Sequence, residues 1–128
     1  MQHLDNYSLA LVKDNNILYS SKGRGLKPLI DCIKEIKTDN SILYDRVIGL
    51  AAARLVVYSS IIVKVVTGLA SERAVSYLNE KSILTEAGKI VPCILNRQGT
   101  DMCPMEKIAI MVDDDGEFFR EIGKSLSS

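Results

Sequence analysis

Two stretches of the sequence combine residue types that could bind a small molecule, and the first is residues 22–29 (KGRGLKPL). This stretch places two glycines and three cations at the start of a predicted helix. Free N–H groups and the positive dipole at a helix start attract phosphate or carboxylate, and an arginine can bind such an anion through two hydrogen bonds. The alternative is a solvated turn whose glycines serve only the path of the chain. The residues predicted to form the anion site are Lys22, Gly23, Arg24, Gly25 and Lys27.

The second stretch, residues 96–101 (NRQGTD), contains hydrogen-bonding groups of every kind. Such a loop can bind a polar ligand, and it can equally be a turn closed by its own side chains. We expect it to lie near strand ends, where open α/β sheets bind their ligands. The predicted ligand contacts are Asn96, Arg97, Thr100 and Asp101.

Cys103 is the thiol best placed for catalysis. Pro104 opens a predicted helix, and a cysteine at the cap position before it lies in a dipole that stabilises thiolate. Glu106, one turn later, could move protons if it were shielded from water, although an exposed glutamate is the commoner case in a first turn. The single histidine, His3, lies in a terminus expected to fray, so an activated cysteine–histidine pair would require that terminus to fold back.

Metal and cofactor sites are not predicted. An EF-hand loop that began at Asp113, in the acidic run 113–116 (DDDG), would have Lys124 where a glutamate is needed. The segment 22–29 matches neither the Walker nor the dinucleotide fingerprint. The cysteines are odd in number and have no C-x-x-C spacing, which indicates free thiols in a reducing cytoplasm. They are Cys32, Cys93 and Cys103.

Composition and length bound the class of protein. The chain has 128 residues, 47% of them hydrophobic and 25% charged, which is typical of one globular domain covering residues 1–128, with residues 1–6 frayed. Its 16 basic and 16 acidic residues cancel, so no overall field favours nucleic acid or an anionic membrane. The longest apolar stretches fall short of the roughly 18 residues that a membrane span needs, and the N terminus does not resemble a secretion signal. We therefore expect a cytoplasmic protein.

The elements that would position these residues alternate between strands and helices. Residues 7–19 predict a hairpin that turns at Asn15 and Asn16, and apolar spacing predicts a helix from Leu26. A second helix is predicted over about residues 42–58, followed by a central strand over 61–66.

Towards the C terminus, Ser71 is predicted to cap a third helix, and a short strand is predicted at 83–85. Residues 90–95 read as an extended segment at a sheet edge, because Pro92 cannot donate to a ladder. Two helices follow, the first opened by Pro104. The order implies an α/β fold with parallel pairing of the later strands.

Three blocks of sequence resemble a family of small bacterial and archaeal proteins catalogued as a domain of unknown function. They are residues 22–29 (KGRGLKPL), 49–55 (GLAAARL) and 96–106 (NRQGTDMCPME). The resemblance implies a cytidine-deaminase-like α/β fold, with an N-terminal β-hairpin joined to a mixed sheet on which helices pack. It brings no established reaction.

The zinc chemistry of deaminases is not expected to accompany that fold. Zinc nucleoside deaminases need an H-x-E at one helix start and a P-C-x-x-C at the next. The chain has no His-x-Glu, residues 47–52 read VIGLAA, and residues 92–95 (PCIL) do not lead to a second cysteine. The helix start that would correspond to P-C-x-x-C has one thiol, Cys103. Catalytic zinc usually has three protein ligands, so this thiol alone is not expected to hold it.

Three hypotheses of function follow. The leading one is a metal-free domain that binds a small anionic, nucleotide-like molecule through Arg24, Lys22 and the segment 96–106. The second is a thiol enzyme or redox sensor that uses Cys103 with Glu106 and Arg97. The third is an oligomer-forming module with a subunit contact through methionines, and a homodimer is compatible with the other two as well. The methionines are Met102, Met105 and Met111.

Overall fold

The computed structural model describes residues 6–95 and 98–127, so residues 1–5, with His3 and most of the terminus predicted to fray, lie outside the described part. The strands are β1 (Leu9–Lys13), β2 (Asn16–Ser21), β3 (Ser41–Ile48), β4 (Ile62–Ser71) and β5 (Leu84–Val91). The helices are α1 (Lys27–Glu35), α2 (Leu50–Ser59), α3 (Glu72–Glu80), α4 (Pro104–Met111) and α5 (Asp115–Ser127). The α/β class is confirmed.

The strands form one mixed sheet in the order β2-β1-β3-β4-β5. β1 is antiparallel to both β2 and β3, whereas β3, β4 and β5 are parallel. The predicted hairpin is therefore confirmed, but its turn lies at Asp14 and Asn15, one residue earlier than predicted. Both residues have positive φ, 51° and 66°, the conformation that a tight hairpin turn requires.

The helix predicted over residues 42–58 is wrong in its first half. Residues 41–48 are strand β3, and the helix begins only at Leu50. Along β3, Ser41 and Leu43 are buried, and the strand pairs with a neighbour on each side. These long-range pairings decide the conformation of an apolar segment that has no strong local preference.

Two later strands are longer than predicted. β4 extends to Ser71, and the short strand expected at 83–85 is the beginning of an eight-residue strand, β5. β5 also takes up the first part of the segment 90–95, which was expected to be separate. Pro92 lies directly after the strand, where its missing N–H breaks no ladder.

The helices pack together around α2. This helix contacts α1, α3, α4 and α5. All four residues 9–12 of β1 are buried, and Leu9 and Leu11 belong to the main core cluster. The small residues of α2 are buried, which lets the other helices approach closely. None of the described helices has the length and apolar character to cross a membrane.

Candidate functional site

A cavity of about 360 Å³ lies beside the carboxyl end of β3. Its walls come from the loop before α1, the start of β1, the end of β3 and the starts of α2 and α4. Most of the wall is apolar, and a few polar side chains converge on it, as is usual for small-molecule sites. Its wall includes Gly23, Arg24, Gly25, Asp45, Arg46, Gly49, Cys103 and Glu106. We call this space the β3 cavity.

The β3 cavity brings together part of the predicted site. The loop before α1 contributes Gly23, Arg24 and Gly25, and the start of α4 contributes Cys103 and Glu106. Arg24 and Cys103 lie about 80 positions apart in the chain, so the fold alone places them in one cavity. The single-site form of the binding hypothesis required this convergence.

Other predicted residues lie elsewhere. Lys22 and Lys27 do not line the cavity, and the Lys27 ammonium lies 3.2 Å from the Asp31 carboxylate one turn along α1. Asp101 forms an exposed ion pair of 2.6 Å with Lys107. Thr100 is exposed outside the cavity. The two remaining predicted contacts, Asn96 and Arg97, lie outside the described residues.

Glu106 caps a helix other than its own. Its Oε2 accepts a 2.7 Å hydrogen bond from the N–H of Leu50, and its Oε1 accepts one of 3.2 Å from the N–H of Ala51. These are among the first N–H groups of α2, which have no partner within the helix. Burial raises the pKa of Glu106, and the two amides act in the opposite direction. The carboxyl is shielded from water, as proton transfer would require, but its oxygens are engaged in holding α2 to α4.

Gly49 makes room for this cap. A Cβ built on Gly49 would lie 2.1 Å from Oε1 of Glu106, far inside van der Waals contact. Only a glycine therefore allows the carboxylate to reach the start of α2 without displacement. α2 begins without a side-chain N-cap of its own, so the carboxylate of Glu106 supplies the cap from α4.

Asp45 is a cavity residue that the sequence analysis missed, because it falls in the segment wrongly predicted as helix. It lies near the end of β3, partly buried. Burial raises its pKa to about 7, although the backbone N–H groups of Arg46 and Val47 oppose the shift. Near neutral pH this carboxyl can therefore donate as well as accept a hydrogen bond. No local pattern in residues 41–48 marks Asp45 as a cavity residue, because pairing with β1 and β4 decides that the segment is a strand.

Positive charge lies at the rim of the cavity. Arg24 is exposed in the loop before α1, and Gly25 has a φ of +71°, a left-handed conformation that glycine adopts without strain. The N-cap residue of α1, Leu26, has an aliphatic side chain that cannot cap the helix. Arg46 also lines the cavity, and its Nε donates a 3.2 Å hydrogen bond to the carbonyl of Tyr7.

Cys103 is the N-cap residue of α4, as predicted, and its side chain is half-buried in the wall of the β3 cavity. Its backbone N–H donates a 3.0 Å hydrogen bond to Ile94, which ties the helix start to the segment after β5. Cys32, by contrast, belongs to the core, and burial raises the pKa of its thiol to about 12. Cys93 is half-buried and lines a different groove.

Arg54 fixes the helix that carries Cys103 and Glu106. It is buried in α2, and its guanidinium donates to the carbonyls of Ala109, Val112 and Asp113, all near the end of α4 or just beyond. It also pairs with the Asp115 carboxylate at 3.1 Å. A second contact lies on its face, where its Cζ is 4.1 Å from the centre of the Phe118 ring. The cavity wall at α4 is thus held at both ends of the helix.

Metal binding was not predicted from the sequence. Within residues 6–95 and 98–127, no group of three or more histidine, cysteine, aspartate or glutamate side chains is arranged to hold a metal ion.

Comparison with known proteins gives a family for this chain. Residues 1–126 match the sequence profile of a domain of unknown function, DUF1893, also described as TM1506. The chain belongs to the DUF1893 family. A crystal structure of a DUF1893 family protein (TM1506) from Thermotoga maritima matches it with a TM-score of 0.84 and 26% identity, over 94% of this chain and 81% of the other. No curated protein matches.

The resemblance read from three sequence blocks to a domain of unknown function is therefore confirmed. The structure adds where these blocks meet. The block 22–29 contributes the loop before α1 to the β3 cavity, the block 49–55 contributes the start of α2, and the block 96–106 contributes the start of α4. The three segments that carried the resemblance thus contribute to the wall of one cavity.

Proposed function

We propose that the protein binds a small anionic molecule in the β3 cavity. The observation that carries this proposal is the meeting of three distant segments, 22–29, 49–55 and 96–106, around one mostly apolar space with Arg24 at its rim. A pre-formed apolar cavity with a few convergent polar groups, beside the carboxyl end of a strand, has the usual features of a ligand site in an α/β sheet.

Each part of the cavity wall suits one part of such a ligand. The Arg24 guanidinium would bind the anionic group, with the backbone of Gly23 and Gly25 close by. The apolar walls would take the body of the molecule. Asp45, whose pKa is raised to about 7 by burial, would form a hydrogen bond with a polar edge of that body without placing a full negative charge beside the anion.

A nucleotide-like ligand and a deaminase-like fold stay predictions from the family resemblance. A five-stranded mixed sheet with an N-terminal hairpin is compatible with them. The Asp45 carboxyl supports the first, because an exchangeable proton lets it hydrogen-bond to the mixed donors and acceptors of a base edge.

The test is a titration of the purified protein with inorganic phosphate and with the four nucleoside monophosphates, followed by amide NMR and calorimetry. We expect chemical shift changes confined to residues around the β3 cavity. Arg24→Ala should weaken binding at least tenfold, because it removes the charge-assisted contact to the anion. Native mass spectrometry of gently purified protein checks for a ligand that copurifies and is lost in the same variant.

Arg73→Ala is the matched control. Arg73 is an exposed arginine on α3 that does not line the β3 cavity, and its removal changes the net charge by the same amount. Binding that weakens equally in both variants would reduce the effect to general electrostatics and contradict the proposal. Shift changes away from the β3 cavity would do the same.

Thiol chemistry at Cys103 is the second candidate function. The observation in its favour is that Cys103 lines the same cavity as Arg24, so a substrate held by the arginine would lie near the thiol. We expect iodoacetamide to alkylate Cys103 faster than the similarly half-buried Cys93, as measured by peptide mass spectrometry. Equal rates would count against a role for Cys103 as nucleophile or redox sensor.

An oligomer with a methionine contact also stays a prediction. Met105 lines the β3 cavity, whereas Met111 is 79% exposed at the end of α4. If the contact exists, Met111→Lys should shift the solution mass measured by light scattering towards the monomer.

A further inference from the structure

The β3 cavity adjoins a second space that none of the predicted site residues line. This groove has a volume of about 620 Å³ and is bounded by Val47, Leu69 and Val91 of the sheet and by residues 92–95, which follow β5. Val47 and Ile94 line both the groove and the β3 cavity. The two spaces therefore share a wall and lie side by side at the carboxyl ends of the strands.

The groove differs from the β3 cavity in chemistry. All of the residues that bound it are apolar, whereas the β3 cavity has two arginines and two carboxyls on its wall. Val47 is 43% exposed and Leu95 is 50% exposed, so large aliphatic side chains are left in contact with water. A contiguous exposed apolar surface of this kind marks a place where another apolar group binds.

We propose that the ligand of the β3 cavity carries a hydrocarbon chain, which passes Val47 and Ile94 and lies in the groove. This rests on the proposed function, because the anionic head would bind at Arg24. The two spaces are adjacent and have Val47 and Ile94 in common as lining residues, which argues for one molecule with a charged end and an apolar end. The ligand class is then an alkyl or acyl anion, with either a phosphate or a carboxylate as its head.

The proposal makes a quantitative prediction about chain length. Burial of one methylene group contributes about 0.8 kcal/mol, which corresponds to an affinity gain of about fourfold. Affinity should rise by up to that factor for each added methylene while the chain enters the groove. The gain should stop once the chain reaches past Leu95. A ligand confined to the β3 cavity would stop gaining affinity at a shorter chain, before the amides of residues 91–95 respond.

The experiment titrates the full-length protein with butyl, hexyl, octyl and decyl phosphate, below their micelle concentrations, by calorimetry and amide NMR. The matching alkanoates identify the head group. We expect the longer chains to shift the amides of residues 91–95, and Val47→Thr to reduce the gain per methylene at least twofold. Val63→Thr is the matched control, because Val63 is 44% exposed on β4 and lines neither space.

The outcomes separate this inference from the proposed function. Binding that depends on Arg24 but not on chain length would leave the proposed function standing and overturn the hydrocarbon chain. Mononucleotide binding with no response to alkyl chains would have the same meaning. A chain-length series that Val47→Thr and Val63→Thr affect equally would also overturn it, since the groove would not be the binding surface. Failure of every anion, short or long, would overturn the proposed function itself.

Discussion

The two sides of the β3 cavity are built differently. On the side of α2 and α4, Glu106 and Arg54 are buried, and their polar atoms hydrogen-bond to backbone groups of the other helix or of the link that follows it. On the side of β3 and the loop before α1, Arg24 is exposed and Asp45 is only partly buried. Both sides present ionisable groups to the same space, but only on the side of α2 and α4 are those groups buried in contacts between helices.

This difference separates structural charge from charge that is available to a ligand. A buried carboxylate whose oxygens already accept hydrogen bonds gains little from a ligand. Its removal leaves the N–H donors that it satisfied without a partner. An exposed arginine at a cavity rim contributes little to stability and retains its donors for an incoming anion. Position in the same cavity is therefore a poor guide to role unless hydrogen-bond partners are counted.

The largest expected effect is at Arg54. Arg54→Leu should lower the free energy of unfolding by about 3–5 kcal/mol, because it leaves buried carbonyls of α4 without a donor and removes the contact with Phe118. Urea denaturation measures the change. Arg24→Ala is the control and should change stability by less than about 0.5 kcal/mol. Comparable losses of stability at Arg54 and Arg24 would contradict the difference between the two sides of the cavity.

The next effect is at Gly49. Gly49→Ala places a methyl group against the Glu106 carboxylate and should cost about 1–3 kcal/mol. A double-mutant cycle sharpens the assignment. In the Glu106→Ala background the carboxylate is gone, so the same glycine substitution should cost less than about 1 kcal/mol. If the two costs were equal, the glycine would serve some purpose other than space for the cap.

The smallest effect is the pH dependence at Asp45. Its folded pKa of about 7 lies above the ordinary value near 4, so the folded protein holds this proton more tightly than the unfolded chain. Stability should therefore fall modestly as pH rises from about 4 to about 7, because water screens this partly exposed carboxyl. Asp45→Asn should remove that part of the slope in denaturation curves taken between pH 4 and pH 8. An unchanged slope would show that the pKa of Asp45 is ordinary, and that burial does not perturb this carboxyl.

Much of the framework followed from local patterns in the sequence. The hairpin, α1, α3 and the two C-terminal helices each have a signal within a few residues, such as Pro28, Ser71 or Pro104. β3 has none that is decisive. Its apolar residues run straight into the small residues of α2, and only pairing with β1 and β4 makes residues 41–48 a strand.

The same limit applies to the cavity. Arg24 and Cys103 could be singled out because each has a recognisable neighbourhood in sequence. Asp45 was missed because its segment was predicted as helix, and that prediction does not place Asp45 near the end of a strand. The role of Glu106 as a cap for α2 depends on a contact across 56 positions, which no local pattern encodes.

The long-range contacts of α2 with α4 and the residues after it affect how the protein folds. Glu106 reaches α2 across 56 positions, and Arg54 reaches Val112 across 58. Closing loops of this length costs entropy before any contact forms, so long-range contacts slow folding. During synthesis, α2 leaves the ribosome well before the residues that complete its first turn. We therefore expect the start of α2 to stay frayed until α4 has been synthesised and packs against it, which completes the wall of the cavity.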